Sequence, residues 1–364
     1  MGFGQSAVES VAVNHGFWQG KRVFLTGHTG FKGGWLALWL SDIGAEVHGF
    51  ALSAPSDPNF FTVCKLEARL KSNTLADVRD AGALTQAMQA AQPHIVLHLA
   101  AQPLVQYSYA APVETYGVNV MGTVHLLESV RQTPSVRAIV NVTTDKCYEN
   151  HEWVWPYREN EALGGYDPYS SSKACSELVT AAYRRSFLEP SSVQIASARA
   201  GNVIGGGDWA PDRLIPDFFR ALDTRQPLMI RSPNAVRPWQ HVLEPVSGYL
   251  MLAERLYSEG QAFAEAWNFG PEESDARPVQ WIVEHLCKVS ASRWECNEAP
   301  QAHEANYLKL DSSKARMKLG WRSRWNLQSA LGYTLEWHHA WKRGADMAAT
   351  SLAQIREYEP VGQA

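Results

Sequence analysis

Residues 21–40 constrain the fold of this chain more than any other stretch. Residues 23–26 form a short apolar run with β-branched side chains, which predicts a buried strand. Glycines follow at positions 27, 30 and 33, and the apolar run 35–40 then predicts a helix. A strand, a glycine turn and a helix form the arrangement that binds a dinucleotide pyrophosphate, although a tight turn without a ligand can carry the same glycines.

In that arrangement each glycine has its own task. The first permits the sharp turn, the second lets the backbone approach the phosphates, and the third lets the helix pack on the strand. Free N–H groups at the start of the helix then face the anion. The spacing here is Gly-x-x-Gly-x-x-Gly, so the flanking strand and helix carry the prediction more than the glycines do.

Strand-like runs alternate with helix-like segments through the first half of the chain. The predicted strands are 46–52, 74–78, 94–101 and 136–144, and the predicted helices are 81–91 and 112–132. This alternation predicts a doubly wound, parallel α/β sheet. Because ligands bind at the carboxyl ends of such strands, we expect one rim formed by Gly27, Ser53, Asp77, Ala101 and Thr144.

Composition excludes several classes of protein. A net charge of −4 gives no general attraction to nucleic acid, and no apolar run is long enough to span a bilayer. The five cysteines lack paired spacing, which argues against a zinc or other metal site and fits reduced thiols. Without a secretory signal pattern, we expect a cytoplasmic protein with a frayed arm over residues 1–19.

The end of the second predicted strand bears on the choice of cofactor. A site selective for NAD often has an acidic residue there, whereas a site for NADP has an arginine for the 2′-phosphate. Here no acid follows the strand before Asp57 and no arginine before Arg69. We predict NAD, with Ser53 as a contact to the ribose.

Tyr169 and Lys173 lie four residues apart in a predicted helix over 169–187, so they share one helix face. A nearby ammonium favours the phenolate form of a tyrosine, and a phenolate can take the proton of an alcohol as its hydride leaves. The lysine can also hold the ribose of a nicotinamide nucleotide. Tyr-x-x-x-Lys also occurs by chance in helices, where it forms a surface pair.

Together these features resemble the extended short-chain dehydrogenase/reductase superfamily. The resemblance runs from about residue 21 to about residue 340 and includes the glycine turn, Leu99-Ala100-Ala101, Asn119-Val120-x-Gly122-Thr123, Tyr169-x-x-x-Lys173 and Arg199-Ala200-Gly201-Asn202-Val203. It implies a Rossmann-like, NAD-binding domain over 1–201 with a return segment near 238–265. A smaller C-terminal α/β substrate-binding lobe would comprise 202–237 and 266–364.

Within that superfamily, three stretches resemble the CDP-glucose 4,6-dehydratases: 26–36, 142–148 and 199–217. The resemblance implies a redox-neutral conversion of CDP-D-glucose to CDP-4-keto-6-deoxy-D-glucose and water, for deoxysugar biosynthesis of the O-antigen type. NAD⁺ would take hydride from C4 and return it to C6. Tyr169 would take the proton of the 4-hydroxyl, Thr144 would hydrogen-bond that hydroxyl, and protonated Asp145 would help the C6 hydroxyl leave as water.

The sequence does not identify the base that removes the C5 proton. The related dTDP-glucose dehydratases carry Thr-Asp-Glu and use the glutamate, but Lys146 stands at that position here. A lysine accepts a proton only if its pKa falls through burial or nearby positive charge. Alternatively, Lys146 stabilises the enolate as a cation while another group acts as the base, or it is a solvated loop residue.

The same resemblance implies the contacts to cofactor and substrate. The implied catalytic residues are Thr144, Asp145, Lys146, Tyr169 and Lys173. The implied NAD contacts are Gly27, His28, Thr29, Gly30, Phe31, Lys32, Gly33, Ser53, Asp77, Val78, Leu99, Ala100, Ala101, Asn119, Tyr169 and Lys173. The implied contacts to the CDP-sugar are Ser108, Thr144, Asn202, Arg213 and Arg237. Because His28 and Lys32 replace small residues, we expect NAD to bind more loosely than in relatives that retain it.

Two other functions remain open. A nucleotide-sugar 4-epimerase shares Tyr169, Lys173 and the first hydride step, but it needs neither Asp145 nor a C5 base. A non-catalytic NAD-binding sensor on the same fold usually lacks the Tyr–Lys pair.

Relatives associate through their long helices, here 112–132 and 169–187, so we expect a homodimer or homotetramer without nucleic-acid or membrane partners.

Overall fold

The computed structural model describes residues 12–297 and 305–359. Residues 1–11 of the arm expected over 1–19 lie outside this range, but Trp18 is buried and its indole Nε1 donates to Glu254 at 2.6 Å. The last part of that arm is therefore packed rather than frayed. The strands in the described residues are β1 Arg22–Thr26, β2 Glu46–Ala51, β3 Ser72–Leu75, β4 Ile95–His98, β5 Ala138–Val142, β6 Gln194–Ala200, β7 Asn202–Ile204, β8 Leu228–Ile230, β9 Val236–His241, β10 Ala266–Phe269, β11 Ala276–Pro278 and β12 Trp294–Cys296.

The α-helices of the same residues connect and cover these strands. They are α1 His15–Trp18, α2 Phe31–Asp42, α3 Phe60–Val63, α4 Ala81–Ala91, α5 Val105–Ala110, α6 Pro112–Tyr116, α7 Gly122–Arg131, α8 Pro168–Tyr183, α9 Leu214–Thr224, α10 Leu243–Glu259, α11 Val279–Ser290, α12 Leu327–Lys342 and α13 Met347–Tyr358. In the part of the chain that the structure describes, no helix combines the length and the apolar character needed to cross a membrane.

Seven strands form one fully parallel sheet in the order β10-β6-β5-β4-β1-β2-β3. The chain starts in the interior at β1, continues outwards to β3, and then returns to β4 on the other side of β1. This confirms the predicted doubly wound, Rossmann-like α/β sheet. Parallel pairing aligns the carboxyl ends of the strands along one edge, since Thr26 pairs with both Phe50 and His98.

Side chains of β1 alternate between the two faces of the sheet, as the two-residue period of a strand requires. Val23 and Leu25 join the apolar core that contains α2 and α10 residues, whereas Phe24 joins the core that contains α4 and α7 residues. Helices cover both faces, so all three side chains are buried. Burying each of them stabilises the fold by about 1.5–3 kcal/mol.

Several predicted elements have different bounds in the structure. The strands expected over 94–101 and 136–144 are the shorter Ile95–His98 and Ala138–Val142. The strand expected over 74–78 is Ser72–Leu75, because its partner β2 ends at Ala51, which pairs with Leu75. The helix expected over 112–132 consists of α6, a π-helical turn Gly117–Met121, and α7. Asn119 lies in this turn, and such helix irregularities are frequent near functional sites.

The smaller lobe is built from the second half of the chain. Its three-stranded sheet has the order β11-β9-β7, and its two-stranded sheet pairs β12 with β8. Residues of α9, α11 and α12 enclose a separate core that includes Phe218, Ile282, Leu286 and Leu331. Strand β10 lies beside β6 in the large sheet, although residues from 266 onward were predicted to belong to the smaller lobe.

The segment after β7 packs against the C-terminal helices. The Gly206 carbonyl accepts a hydrogen bond from Trp35 Nε1 at 2.9 Å. A Cβ at position 206 would lie 2.0 Å from Trp337 Cγ. The packing of this segment against Trp337 therefore depends on the absence of a side chain at residue 206.

We expect Gly206→Ala to lower the free energy of unfolding by about 1–3 kcal/mol, because added volume in a packed site forces its neighbours apart. Gly332→Ala, in the same helix as Trp337, is the control. A Cβ at position 332 meets nothing within 4 Å, and alanine in place of a helix glycine should add about 0.5–1 kcal/mol. Urea denaturation measures both changes, and equal values for the two variants would contradict the packing at residue 206.

Candidate functional site

A cleft of about 660 Å³ lies along the carboxyl edge of the large sheet. All five residues of the predicted rim line it: Gly27, Ser53, Asp77, Ala101 and Thr144. The opposite wall comes from the smaller lobe and includes residues 207–217 and 228–232. A concave site of this size is typical of a pocket for a small molecule or cofactor.

The glycine turn closes on itself at one side of the cleft. Gly27 has a φ of +77°, and a Cβ there would lie 2.7 Å from the backbone nitrogen of Ala100. A Cβ at Gly33 would lie 2.1 Å from the carbonyl oxygen of Gly27. Both positions therefore require glycine.

Gly30 serves a different purpose from its two neighbours. A Cβ there would come no closer than 3.4 Å to another protein atom, and Gly30 lines the cleft. The missing side chain therefore leaves room for a ligand rather than for the protein. Gly30 is also the N-cap of α2, where unpaired N–H groups of the first turn attract anions. These features fit the pyrophosphate of a dinucleotide.

Tyr169 and Lys173 lie in the first turns of α8, which begins beside the cleft. Asp167 caps this helix, because its carboxylate accepts from the N–H of Ser170 at 2.9 Å and from the Ser170 hydroxyl at 2.6 Å. Pro168 occupies the first turn, where no N–H is needed. Tyr169 and Lys173 are both buried, and both line the cleft as predicted.

Thr144 and Asp145 follow β5 and lie beside Tyr169. The Thr144 hydroxyl donates to Asp145 Oδ1 at 3.0 Å, and a hydrogen bond also joins the side chains of Thr144 and Tyr169. Asp145 Oδ2 is buried and has no hydrogen-bond partner. The structure thus brings a phenol, a hydroxyl and a carboxyl group together at one point of the cleft wall.

Burial dominates the ionisation of these groups. It raises the pKa of Tyr169 to about 12, although the hydrogen bond with Thr144 opposes the change. It also lowers the pKa of Lys173 to about 8, against the negative charge of Glu177. Lys173 Nζ donates to the carbonyl of Val142 at 3.2 Å. The expectation that Lys173 makes Tyr169 easy to ionise is not met in this structure, because burial outweighs the neighbouring charges.

Asp145 is only 1% exposed, and burial raises its pKa. The positive charge of Lys146 and the hydrogen bond with Thr144 oppose this shift, and the charges of Arg237 and Lys32 oppose it to a smaller extent. A raised pKa favours the protonated carboxylic acid, which can donate a proton to a leaving hydroxyl. Asp145 is therefore suited to act as a general acid.

Several cations line the same cleft: Lys32, Lys146, Lys173, Arg213 and Arg237. Burial, followed by the positive charges of Arg213 and Lys173, lowers the pKa of Lys32 to about 7. Arg213 is held by Asp208, whose Oδ2 accepts from Nη1 at 3.0 Å. Arg237 donates to two backbone carbonyls. A concentration of positive charge in a low-dielectric cleft suits an anionic ligand.

His28 lies outside the cleft, in contrast to its predicted role. Its Nε2 lies 2.8 Å from Asn73 Oδ1, and its ring packs edge-on against Phe61. A Cβ at Gly49 would lie 2.7 Å from that ring, so His28 fills the space that Gly49 leaves on β2. The expected crowding of the pyrophosphate can therefore come from Lys32, which lines the cleft, but not from His28.

Ser108 and Asn119 also lie outside the cleft. Ser108 is fully buried and donates to the carbonyl of Val105 at 2.7 Å. Asn119 accepts from the backbone N–H of Gln102 at 2.9 Å and donates to Ser172 Oγ at 2.8 Å. Both side chains are therefore hydrogen-bonded to other groups of the protein and do not face the cleft.

The remaining predicted contacts all line the cleft: Thr29, Phe31, Val78, Leu99, Ala100 and Asn202. Two further segments, residues 103–106 and 228–232, also line the cleft and were not predicted from the sequence. The first follows β4 at the carboxyl edge, so the rule for strand ends could have found it. The second contains the short strand β8, and no motif marks it.

Comparison with known proteins accounts for this arrangement. A family model described as GDP-mannose 4,6 dehydratase matches residues 24–333. A CDP-glucose 4,6-dehydratase of Salmonella typhimurium is 54% identical over 353 residues, which cover 95% of this chain and 98% of that protein. The chain belongs to the GDP-mannose 4,6-dehydratase family.

Solved structures agree with this membership in the family. A dTDP-glucose 4,6-dehydratase of Streptomyces venezuelae, solved with NAD bound, has 25% identity and a TM-score of 0.75 over 90% of this chain and 99% of that chain. A UDP-glucose 4-epimerase of Thermotoga maritima has 22% identity and a TM-score of 0.76 over 87% of this chain and 98% of that chain. The second likeness shows the fold alone. The predicted membership in the extended short-chain dehydrogenase/reductase superfamily is confirmed.

A pH series tests the burial of Lys173. Folding lowers its pKa from 10.5 to about 8, so the unfolded chain binds more protons between these values and stability rises with pH there. Lys173→Met should remove about 3 kcal/mol of that rise between pH 7 and pH 11. Urea unfolding at several pH values measures it, and parallel stability curves for variant and wild type would refute the assignment.

Lys309→Met is the control with the opposite sign. Burial alone would lower the pKa of Lys309, but its hydrogen bond to Glu273 raises it. The stabilisation from this pair is fully present below the unfolded pKa and is lost above the folded pKa. Its removal should therefore leave the rise in stability below pH 10.5 in place.

Proposed function

We propose that this protein converts CDP-D-glucose to CDP-4-keto-6-deoxy-D-glucose and water, with NAD as a recycled cofactor. The observation that carries the proposal is the 54% identity, over 95% of the chain, to a protein named CDP-glucose 4,6-dehydratase. The grouping of Tyr169, Thr144 and Asp145 in one cleft wall supports it independently.

The glycine turn and the rim are suited to hold NAD. Gly27 and Gly33 close the turn, and Gly30 leaves room for the phosphates. Ser53 lines the cleft at the end of β2, where it can contact the adenosine ribose without an acidic residue. When bound, NAD⁺ would supply an acceptor for hydride from C4 and a donor of hydride to C6 of the sugar.

Tyr169 is the proposed base for the 4-hydroxyl. Its hydrogen bond with Thr144 prepares a position in which the sugar hydroxyl can contact both side chains. The phenol must lose its proton for this task, and the positive charge of Arg213 favours that loss. Lys173, four residues further along α8, is placed to hold the nicotinamide ribose.

Asp145 is the proposed acid for the loss of water from C6. Once C4 is a ketone, the C5 proton is acidic because its removal gives an enolate. Lys146 lies next to Asp145, lines the cleft and is not fully buried. This placement supports a role as the cation that stabilises the enolate.

Arg213, Arg237 and Asn202 are the proposed contacts to the pyrophosphate of the CDP-sugar. All three line the cleft on the side of the smaller lobe. Guanidinium groups can bind phosphate oxygens through two parallel hydrogen bonds. The Asp208 carboxylate already orients Arg213, which reduces the ordering cost when an anion binds.

We further propose that the NAD-binding lobe comprises residues up to 201, the return segment 238–265 and β10. The substrate lobe then comprises 202–237 and the residues after β10 as far as α12, whereas α13 belongs with the first lobe because its Met347, Leu352 and Ile355 join the core of α2 and α10. Strand β10 is assigned to the first lobe because it pairs with β6.

Nucleotide sugars and NAD are metabolites of the cell interior, which favours a cytoplasmic location.

A 4-epimerase is the alternative within the same fold. Its chemistry has no use for an acid at C6, so the buried Asp145 beside Thr144 favours the dehydratase. The decisive experiment incubates the protein and NAD with CDP-, dTDP-, GDP- and UDP-glucose and identifies each product by mass. Loss of one water from CDP-glucose, with a ketone that absorbs in alkali, is expected. An unchanged mass would refute the dehydratase.

Tyr169→Phe should lower kcat for CDP-glucose by about 10²–10⁴-fold, the usual contribution of a general base, while NAD still binds. Tyr183→Phe is the matched control, because Tyr183 lies on the same helix and donates to Glu128 away from the cleft. Product formation and NAD binding by calorimetry measure the effects. A Tyr169→Phe variant as active as wild type would remove this residue from the mechanism.

We also propose that two copies associate through α6–α7 and α8. Large apolar side chains on these helices and the adjoining π-helical turn are exposed: Val113, Tyr116, Met121 and Leu178. Because Leu178 is 58% exposed on a helix that otherwise packs well, it is the side chain to test. A patch of exposed apolar side chains of this kind supports a homodimer or homotetramer.

Leu178→Glu should reduce the mass of the assembly in light scattering, because a buried unpaired charge opposes association. Val289→Glu is the control, since Val289 is equally apolar and 60% exposed but lies on α11 of the smaller lobe. Its assembly should keep the wild-type mass. A monomeric wild type, or an unchanged Leu178→Glu assembly, would contradict the proposed surface.

A further inference from the structure

A buried carboxylate links three elements beneath the cleft wall. Glu177 lies one helical turn after Lys173 on α8, and its Oε1 accepts from the Thr143 hydroxyl at 2.5 Å and from Arg199 Nε at 3.0 Å. Its Oε2 accepts from the Ser197 hydroxyl at 2.6 Å and from Arg199 Nη2 at 2.9 Å. The side chains of Glu177 and Arg199 are each 4% exposed.

Arg199 extends the network to Tyr148, five residues after Thr143. Its Nη1 donates to the Tyr148 hydroxyl at 2.9 Å, and its guanidinium lies over the Tyr148 ring at 4.9 Å. The Tyr148 hydroxyl in turn donates to Asn268 Oδ1 at 2.7 Å. Tyr148 is fully buried, so water does not compete for the hydrogen bonds of its hydroxyl.

The positions of these contacts in the chain are what matters. Thr143 directly precedes residues 144–146, and Tyr148 follows them after one residue. The ion pair therefore holds both ends of the segment that carries Thr144, Asp145 and Lys146. Through Glu177 it also holds the helix that carries Tyr169 and Lys173.

We propose that Glu177 and Arg199 are positioning residues that fix segment 144–146 against Tyr169 and Lys173 for the dehydration step. The proposal rests on the proposed function for its chemistry but on the structure for its geometry. Neither residue lines the cleft, so both would act only through the side chains that they hold. Small displacements of reacting groups lower reaction rates strongly. A pair that keeps these groups in place therefore contributes to the rate.

The charge of Glu177 supports the same role. Burial lowers the pKa of Lys173, and Glu177 is the first group that opposes it. The Glu177 carboxylate itself stays ionised despite its burial, because Arg199 and the two hydroxyls hold its pKa below the usual value. The pair thus helps to keep Lys173 cationic near neutral pH.

Direct removal of either charge is a poor test, because the partner would remain buried and unpaired, and the chain could fail to fold. The hydroxyl groups offer a gentler change. Thr143→Val and Tyr148→Phe each release one end of segment 144–146 and keep the ion pair. Ser197→Ala is the matched control, because it removes a hydroxyl from the same Glu177 carboxylate on a strand that carries no catalytic residue.

We expect Thr143→Val and Tyr148→Phe to lower kcat for CDP-glucose at least tenfold, with KM and NAD affinity little changed, whereas Ser197→Ala keeps the wild-type kcat. Tyr148→Phe separates positioning from direct contact, since Tyr148 does not line the cleft while Thr143 does. A purely structural network would lower the melting temperature of the three variants and affect their kcat alike. That result, or a wild-type kcat in Tyr148→Phe, would overturn the proposal.

Hydrogen exchange supplies a readout that is independent of turnover. Amides of residues 144–147 should exchange faster in Thr143→Val and Tyr148→Phe than in wild type, and no faster in Ser197→Ala. If wild type fails to convert CDP-glucose, the proposed function fails, and the exchange data still decide the positioning role. Unchanged exchange in both variants would overturn it.

Discussion

The close approach of backbone to backbone in the glycine turn is the constraint on which the site depends. A side chain at residue 33 would overlap the carbonyl of Gly27, and one at residue 27 would overlap the loop after β4. Because neither is present, α2 packs directly on the sheet and the edge of the sheet stays open. The opening of the cleft beside the glycine turn follows from this packing.

Burial shifts the pKa values of the ionisable groups in the cleft towards their neutral forms. Lys32 and Lys173 are less basic than usual because burial disfavours their charges, and Tyr169 and Asp145 are less acidic for the same reason. The site therefore places acids of raised pKa close to cations of reduced basicity. An anionic substrate would relieve the repulsion among the cations, so binding and the readiness for proton transfer are coupled by one physical cause.

Sequence patterns predicted those features that depend on local geometry. The glycine turn, the parallel sheet and the shared helix face of Tyr169 and Lys173 follow from spacing and from strand ends, and the structure has all three. The positions of His28 and Asn119 did not follow, because their side chains hydrogen-bond to residues that are distant in sequence, and the Ser108 hydroxyl bonds instead to the Val105 carbonyl of its own helix. The ion pair of Glu177 with Arg199 joins α8 to β6 and was likewise invisible in any single motif.

His28 and Gly49 illustrate why such positions cannot be treated one at a time. The imidazole occupies the volume that a side chain on the neighbouring strand would need. Gly49 can accept a larger residue only in a background where position 28 has already become small, and the reverse order leaves a cavity. The two positions are thus epistatic: the effect of a substitution at one depends on the residue at the other. The order of the two substitutions therefore decides whether the intermediate sequence is stable.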